Sequence, residues 1–220
     1  MNTVNIKTFK APIFCENEAL RYAGCKKADD EILKLLYECK SEADKVISYK
    51  VCYITLPLKI NNGVCDFELF KVSSKGLCEN LKECKEVLLF AATLGTGLDR
   101  LIAKYGSFAP SKALMLQGIG AERIEALCDA FCEEFEDVNG ISLKPRFSPG
   151  YGDLELSYQR DIFNILDCPR KLGLTLNDSL LMSPSKSVTA FAGITHNNEA
   201  KKINKCKLCR NLSCEFRREL

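Results

Sequence analysis

The sequence has no tryptophan and a single histidine, His196. One imidazole rules out a multi-histidine metal site within the chain and argues against a Ser-His-Asp relay. Charge of one sign is lacking as well. Lysine and arginine number 31 against 29 acidic residues, a net charge of +2. That balance gives no electrostatic footprint for nucleic acid, and no basic block falls where a helix could carry it. No apolar run reaches the ~18 residues of a membrane span. The opening residues Met1-Asn2-Thr3-Val4-Asn5 lack the pattern of a secretory signal. The expectation is a cytosolic chain with no membrane and no nucleic-acid partner.

What is present describes a globular chain of 220 residues, 46% hydrophobic and 27% charged, long enough for a substantial core. Thirteen cysteines are many, and being odd in number they cannot all pair. In a cytosolic chain reduced thiols are the default. Cys39, Cys52, Cys65, Cys84, Cys128 and Cys132 fall where the patterns call for small apolar residues, so they read as core filler.

The patterning alternates helix and strand. Glu16 to Ala23 reads as a short helix closed by Gly24, and Asp29 or Asp30 caps the next, with Ile32, Leu33, Leu35 and Leu36 as its stripe. Val46 to Ile60 switches to period two, with Ile47, Tyr49, Val51, Tyr53 and Thr55 on one face. Asn61-Asn62-Gly63 is a hairpin turn returning into Val64 to Val72, and Ser73 or Ser74 caps a following helix. Val87 to Thr93 is a continuous apolar run, the mark of a strand buried on both faces. Leu94-Gly95-Thr96-Gly97 then opens a helix; it reads as a tight connection, with an anion cradle as the alternative.

Ser111 to Asp137 is the longest helix, with Ile119, Ile124, Leu127, Cys128, Phe131 and Phe135 inward. Gly118 and Gly120 imply close approach of a backbone or a ligand, and Glu122 and Glu125 read as solvated. Ser157 to Leu166 is a helix; Leu172 to Met182 and Ser187 to Thr195 read as strands. The order implies an α+β fold, a twisted, largely antiparallel sheet with packed helices.

One stretch concentrates conformationally special residues: Lys144-Pro145-Arg146-Phe147-Ser148-Pro149-Gly150-Tyr151-Gly152-Asp153. The prolines push Lys144 and Ser148 towards extended backbone, and Pro149-Gly150 signals a turn. The stiff loop carries a guanidinium fork suited to carboxylate or phosphate and a phenol with a π face. A surface loop with a packed tyrosine is the alternative reading.

Arg146-x-x-Pro149-Gly150-Tyr151 resembles the R-x-x-P-G-Y signature of the activation (reactivation) domain of vitamin B12-dependent methionine synthase. The likeness continues through Ile162–Asp167, Leu172–Ser179 and Met182-x-Pro184-x-x-Ser187-Val188-Thr189. It covers residues 111–195 well and the first hundred more loosely. The resemblance implies an S-adenosylmethionine-binding subunit that supports reductive methylation of cob(II)alamin to methylcobalamin. The cobalamin would be held by a separate corrinoid-binding methionine synthase chain, and the electron would come from a donor such as a flavodoxin or ferredoxin. By the same resemblance, Arg146 clamps the ligand's carboxylate and Tyr151 holds it by its hydroxyl or faces its sulfonium. Ser148 contributes backbone, and Pro149 and Gly150 allow close approach. No general base is needed for a displacement of this kind.

Two departures qualify the match. No homocysteine, folate or cobalamin module is present, nor an Asp-x-His-x-x-Gly signature, which implies a free-standing activation subunit. Where the family's long form has a further strand with a ligand-touching tyrosine pair, this chain has a cysteine-bearing tail. Residues 1–198 therefore read as the activation-like domain and 199–220 as the tail. The tail's Cys206, Cys209 and Cys214 are spaced C-x2-C-x4-C, a half-site for Zn²⁺ or an iron–sulfur cluster that His196 or a partner could complete. Redox-active thiols or no site at all are the other readings. The alternatives to methionine synthase activation are service to another corrinoid methyltransferase, or a metal- or thiol-based electron-transfer or docking module.

Overall fold

The computed structural model describes residues 3–196. The chain runs β1 (Asn5–Phe9), α1 (Glu16–Tyr22), α2 (Asp30–Ala43), β2 (Tyr49–Pro57), β3 (Lys59–Asn61), β4 (Val64–Asp66), β5 (Lys71–Ser73) and α3 (Lys75–Asn80). It continues with β6 (Glu86–Thr93), α4 (Thr96–Gly106), α5 (Pro110–Asn139), β7 (Ser142–Leu143), a 3-10 turn (Leu156–Tyr158), α6 (Gln159–Leu166), α7 (Cys168–Leu172), β8 (Thr175–Leu176), β9 (Met182–Ser183) and β10 (Ser187–Thr195). The main sheet has the order β1-β2-β6-β10-β7, and its neighbouring strands are antiparallel throughout. The expected α+β class with an antiparallel sheet and packed helices is the one observed.

Burial explains the three layers. In β6 every residue from Val87 to Thr93 is at most 1% exposed. Leu88, Phe90 and Ala92 face a core shared with α1, α2, α4 and α5, while Val87, Leu89 and Ala91 face one closed by β3–β5, α3, α6 and α7. A strand covered on both sides has no use for polar alternation. Gly118 and Gly120 serve packing. A Cβ at Gly118 would lie 2.6 Å from the Ala19 carbonyl oxygen, so α1 and α5 touch backbone to backbone. At Gly120 it would press on Leu98 and Lys186.

Several elements differ from expectation. The strand expected over Val46 to Ile60 stops at Pro57; Leu58 bonds to the Lys85 carbonyl, and β3 joins a separate three-stranded sheet. Asn62 and Gly63 make the expected turn with φ of 50° and 78°, but the return strand is cut at Phe67–Phe70 by a second turn with Glu68 at φ 66°. Asp66 stabilises that turn by accepting from the Glu68 N–H at 3.0 Å. The Leu172–Met182 strand is instead the end of α7 and a small β8–β9 hairpin, because Gly173 adopts φ 70° and Asn177 closes a turn onto Leu180 and Leu181. β1 was not anticipated; it is a short edge strand whose residues are mostly exposed and so carries little pattern. Glycine-start α4 is the tight connection rather than an anion cradle: its first-turn Asp99 already accepts from the N–H and hydroxyl of Ser185.

Five of the six cysteines read as core filler are buried, and Cys132 is half-buried against the same core. No helix among the described residues is long and apolar enough to cross a membrane. The domain boundary at 198/199 and Cys206, Cys209 and Cys214 lie outside the described residues.

Candidate functional site

The loop 144–153 is fastened along the free edge of β10. β7 pairs with β10 at Ile194 and Thr195, and the Lys144 N–H donates to the Gly193 carbonyl at 2.8 Å. Phe147 and Phe191 then exchange both backbone hydrogen bonds, at 2.9 and 2.8 Å. Among the described residues no strand pairs with Ser187–Ala190 on this side. Strand alternation sends neighbouring side chains to opposite faces. Arg146 lies against α5, whereas Phe147 joins the cluster on the opposite face of the sheet.

Ser148-Pro149-Gly150-Tyr151 is a β-turn closed by the Tyr151 N–H donating to the Ser148 carbonyl at 3.0 Å. Gly150 at φ 89° after Pro149 meets the requirement of a type II turn. Pro149 is buried. Tyr151 is 66% exposed, and its ring meets the Phe147 ring edge-on with centroids 6.0 Å apart. Asp153 closes the loop from below. Its carboxylate accepts from the Ser74 hydroxyl at 2.6 Å and from the N–H groups of Lys75 and Gly76 at 2.6 and 3.0 Å. Ser74, expected as one of two candidate caps, in turn accepts from the Leu77 N–H. The loop and the start of α3 are therefore one hydrogen-bonded unit.

Hydrogen bonding from Ser74 and Gly76 holds the Asp153 carboxyl below its ordinary value. A depressed carboxyl contributes stability that is fully present above its unfolded value of about 4 and is lost as pH falls through the lower folded value. Asp153→Ala is expected to lower the melting temperature by roughly 2–4 °C, the size of losing one cap in a chain of this length. The deficit should disappear at pH values low enough to protonate Asp153 in the parent. A deficit unchanged by acid would show that the carboxylate is not what holds the loop.

The guanidinium fork of Arg146 is already engaged. Its Nη1 donates to Asp129 and its Nη2 to Glu125, both at 2.7 Å. These acids stand one turn apart on α5, so Glu125, expected to be solvated, is instead half of a carboxylate pair that holds the fork. The Arg146 side chain is 22% exposed and its partners 36% and 50%, so the cluster is open on one side. Burial works against the guanidinium's charge, and the acidic surroundings outweigh it, so its pKa is raised. Burial also pushes the neighbouring Cys128 thiol up, and Cys132 to about 11. Those thiols are therefore neutral, and Asp129 and Glu125 carry the compensating charge. Counted together, Arg146, Glu125 and Asp129 hold a net charge of about −1.

Glu122 was expected to be solvated and is 3% exposed. Its partner is Arg123, 1% exposed, which lies on the inward stripe of α5. Arg123 donates to the carbonyls of Pro12 and Ile13, both at 2.8 Å, while Glu122 accepts from the Cys15 N–H at 3.0 Å. The pair clamps the segment between β1 and α1. The sequence signal was the i, i+4 series Ile119-Arg123-Leu127, which places an arginine among core positions.

A pocket of about 300 Å³ lies elsewhere, between β1, β2 and the last turns of α5. Its Lys7 and Glu134 pair with each other at 2.5 Å, and Phe131 and Phe135 belong to the core packing. The pocket is also lined by Asn5, Tyr53, Thr55 and Asn139, but it contains none of the loop residues. Among the described residues no group of three or more His, Cys, Asp or Glu side chains is arranged to hold a metal ion. His196, one candidate to complete a site in the tail, follows β10 and is exposed.

No protein-family model matches the chain, and no curated protein sequence is similar to it. Among solved structures, the crystal structure of the MetH reactivation domain bound to AdoHcy is similar over 90% of this chain and 80% of that one. The TM-score is 0.66 and the sequence identity 12%. The chain has the fold of that reactivation domain.

Proposed function

We propose that the chain binds S-adenosylmethionine at the Arg146–Tyr151 loop and serves as a free-standing activation subunit for a cobalamin-dependent methionine synthase. The observation that carries this reading is the Arg146-x-x-Pro149-Gly150-Tyr151 loop, standing on the edge of a sheet with the reactivation-domain fold. The donor set suits an amino-acid ligand. The guanidinium fork takes a carboxylate bidentately, and an acid released from Arg146 is free to take the ammonium group. Ser148, Pro149 and Gly150 present backbone at a tight turn, and Tyr151 offers an exposed aromatic face for a cationic sulfonium. When bound, S-adenosylmethionine would supply a transferable methyl group to a reduced cobalamin held by the partner chain. This chain's own residues orient and hold; none is asked to move a proton.

The test mixes the full chain, anaerobically, with a cobalamin-dependent methionine synthase truncated before its own activation domain and held in the cob(II)alamin state. S-adenosylmethionine and a flavodoxin or ferredoxin reducing system are added. Conversion to the methylcobalamin absorbance spectrum only when this chain is present is the expected result. Conversion that ignores the chain, across several such enzymes, would sink the methionine synthase assignment. Success only with another corrinoid protein would move the chain to that partner.

A further inference from the structure

We propose that Cys65 and Cys78 are a reversible dithiol–disulfide pair, a modification site independent of the ligand reading. Cys65 is the middle residue of β4, between Ile60 of β3 and Val72 of β5. Cys78 lies one turn into α3, where its N–H donates to the Ser74 carbonyl. The two sulfurs stand 3.2 Å apart in hydrogen-bond contact, 13 residues apart in sequence. Closing to the ~2 Å of a covalent bond asks for a small shift of a six-residue helix at the surface.

The two thiols differ in access. Cys65 is fully buried, while Cys78 is half-buried and can be reached from solvent. A low-molecular-weight disulfide such as oxidised glutathione therefore meets Cys78 first. The Cys78 thiol ionises and its thiolate attacks one glutathione sulfur, breaking that S–S bond; the leaving glutathione thiolate takes up the proton that Cys78 gave up. The Cys65 thiol then displaces the second glutathione from Cys78, forming the internal bond. Two protein thiols are oxidised by two electrons, and one oxidised glutathione is reduced to two thiols. Burial raises the pKa of Cys65 and slows its attack, but the fixed contact supplies a high effective concentration. The bond would tie α3 to the small sheet at the same short helix whose start receives Asp153 from the loop.

The molecule holds its own comparison. Cys52 and Cys168 are fully buried, so an oxidant reaches neither. The experiment incubates the folded full chain in a series of oxidised-to-reduced glutathione ratios, alkylates remaining thiols and maps peptides by mass spectrometry without reduction. A Cys65–Cys78 cross-linked peptide that forms stoichiometrically and reverts with dithiothreitol is expected, with Cys52 and Cys168 left reduced. In Cys65→Ala, a glutathione adduct should accumulate on Cys78 instead. A parent protein in which Cys78 stops at the glutathione adduct overturns the proposal. So does one in which Cys78 stays reduced while exposed Cys15 is modified.

Discussion

On the proposed reading, Arg146→Ala is expected to weaken S-adenosylmethionine binding by an order of magnitude or more, the consequence of removing a charged hydrogen-bond partner worth ~1.5–3 kcal/mol. The measurement is calorimetric titration of the anaerobically purified full chain beside the variant, with melting curves to confirm that both are folded. Arg146→Lys should fall between them, because it keeps the charge and loses the planar fork that now spans Glu125 and Asp129. The geometry adds a second, sharper expectation. At neutral pH S-adenosylmethionine carries a net charge of about +1 and its demethylated product about zero, since only the former has a sulfonium. Arg146 with its two acids sums to about −1, which favours the cationic ligand. In Arg146→Ala the site becomes more negative, so both ligands weaken but the preference for the sulfonium rises. In Asp129→Asn the preference falls, by roughly twofold to tenfold for a partly exposed charge. Equal affinity of parent and Arg146→Ala for S-adenosylmethionine would remove the loop from the binding site.

Glu122→Leu is expected to cost about 3–5 kcal/mol of stability, because it leaves the guanidinium of Arg123 buried without its counter-charge. In a chain of this size that corresponds to a melting temperature lower by roughly 6–20 °C. The pair's worth lies in what it holds. Arg123 satisfies two backbone carbonyls, at Pro12 and Ile13, and stacks over the Phe14 ring with its guanidinium carbon 4.9 Å from the centroid. Glu122 satisfies the Cys15 N–H. Replacing both, as Glu122→Leu with Arg123→Met, removes the stranded charge and should be less damaging than Glu122→Leu alone. Hydrogen exchange at the Cys15 amide separates clamp from core: it should accelerate in the double variant even where stability recovers. A single variant as stable as the parent would mean that solvent reaches Arg123.

Much of the fold was legible because the relevant residues obey one period over a long stretch. The α5 stripe and the alternation of β2 follow from burial on one face, and the expected limits of α5, β2 and the β10 strand lie within a few residues of the observed ones. The difference at the end of β2 has a clear cause. From Val46 to Ile60 the alternation continues across Leu58, but the chain passes there from one sheet to another, and period two does not say which sheet a residue faces. The candidate loop was legible through Pro149 and Gly150, whose turn preferences are local. The partners of Arg146 were not, since Glu125 and Asp129 meet it only after β7 and Phe147 have been zipped onto β10. Two acids a turn apart on a helix look solvated until the loop returns. Arg123 shows its role in the sequence as an arginine in the middle of an apolar i, i+4 series.

The strand order also sets the timetable of assembly. β6 is the middle strand of the main sheet, with β2 on one side and β10 on the other. β2 is made before β6, but Val87 pairs on its other side with Gly193, and Thr93 with Ser187, roughly a hundred residues later in the chain. Contacts of such sequence separation form late, and an apolar strand with one open edge invites pairing with another molecule in the meantime. A growing chain therefore carries its most water-averse strand half-finished through the synthesis of α4, α5, α6 and α7. The long helix α5, which covers one face of β6, is the shield during that interval, and variants that delay its formation should show first as lost yield.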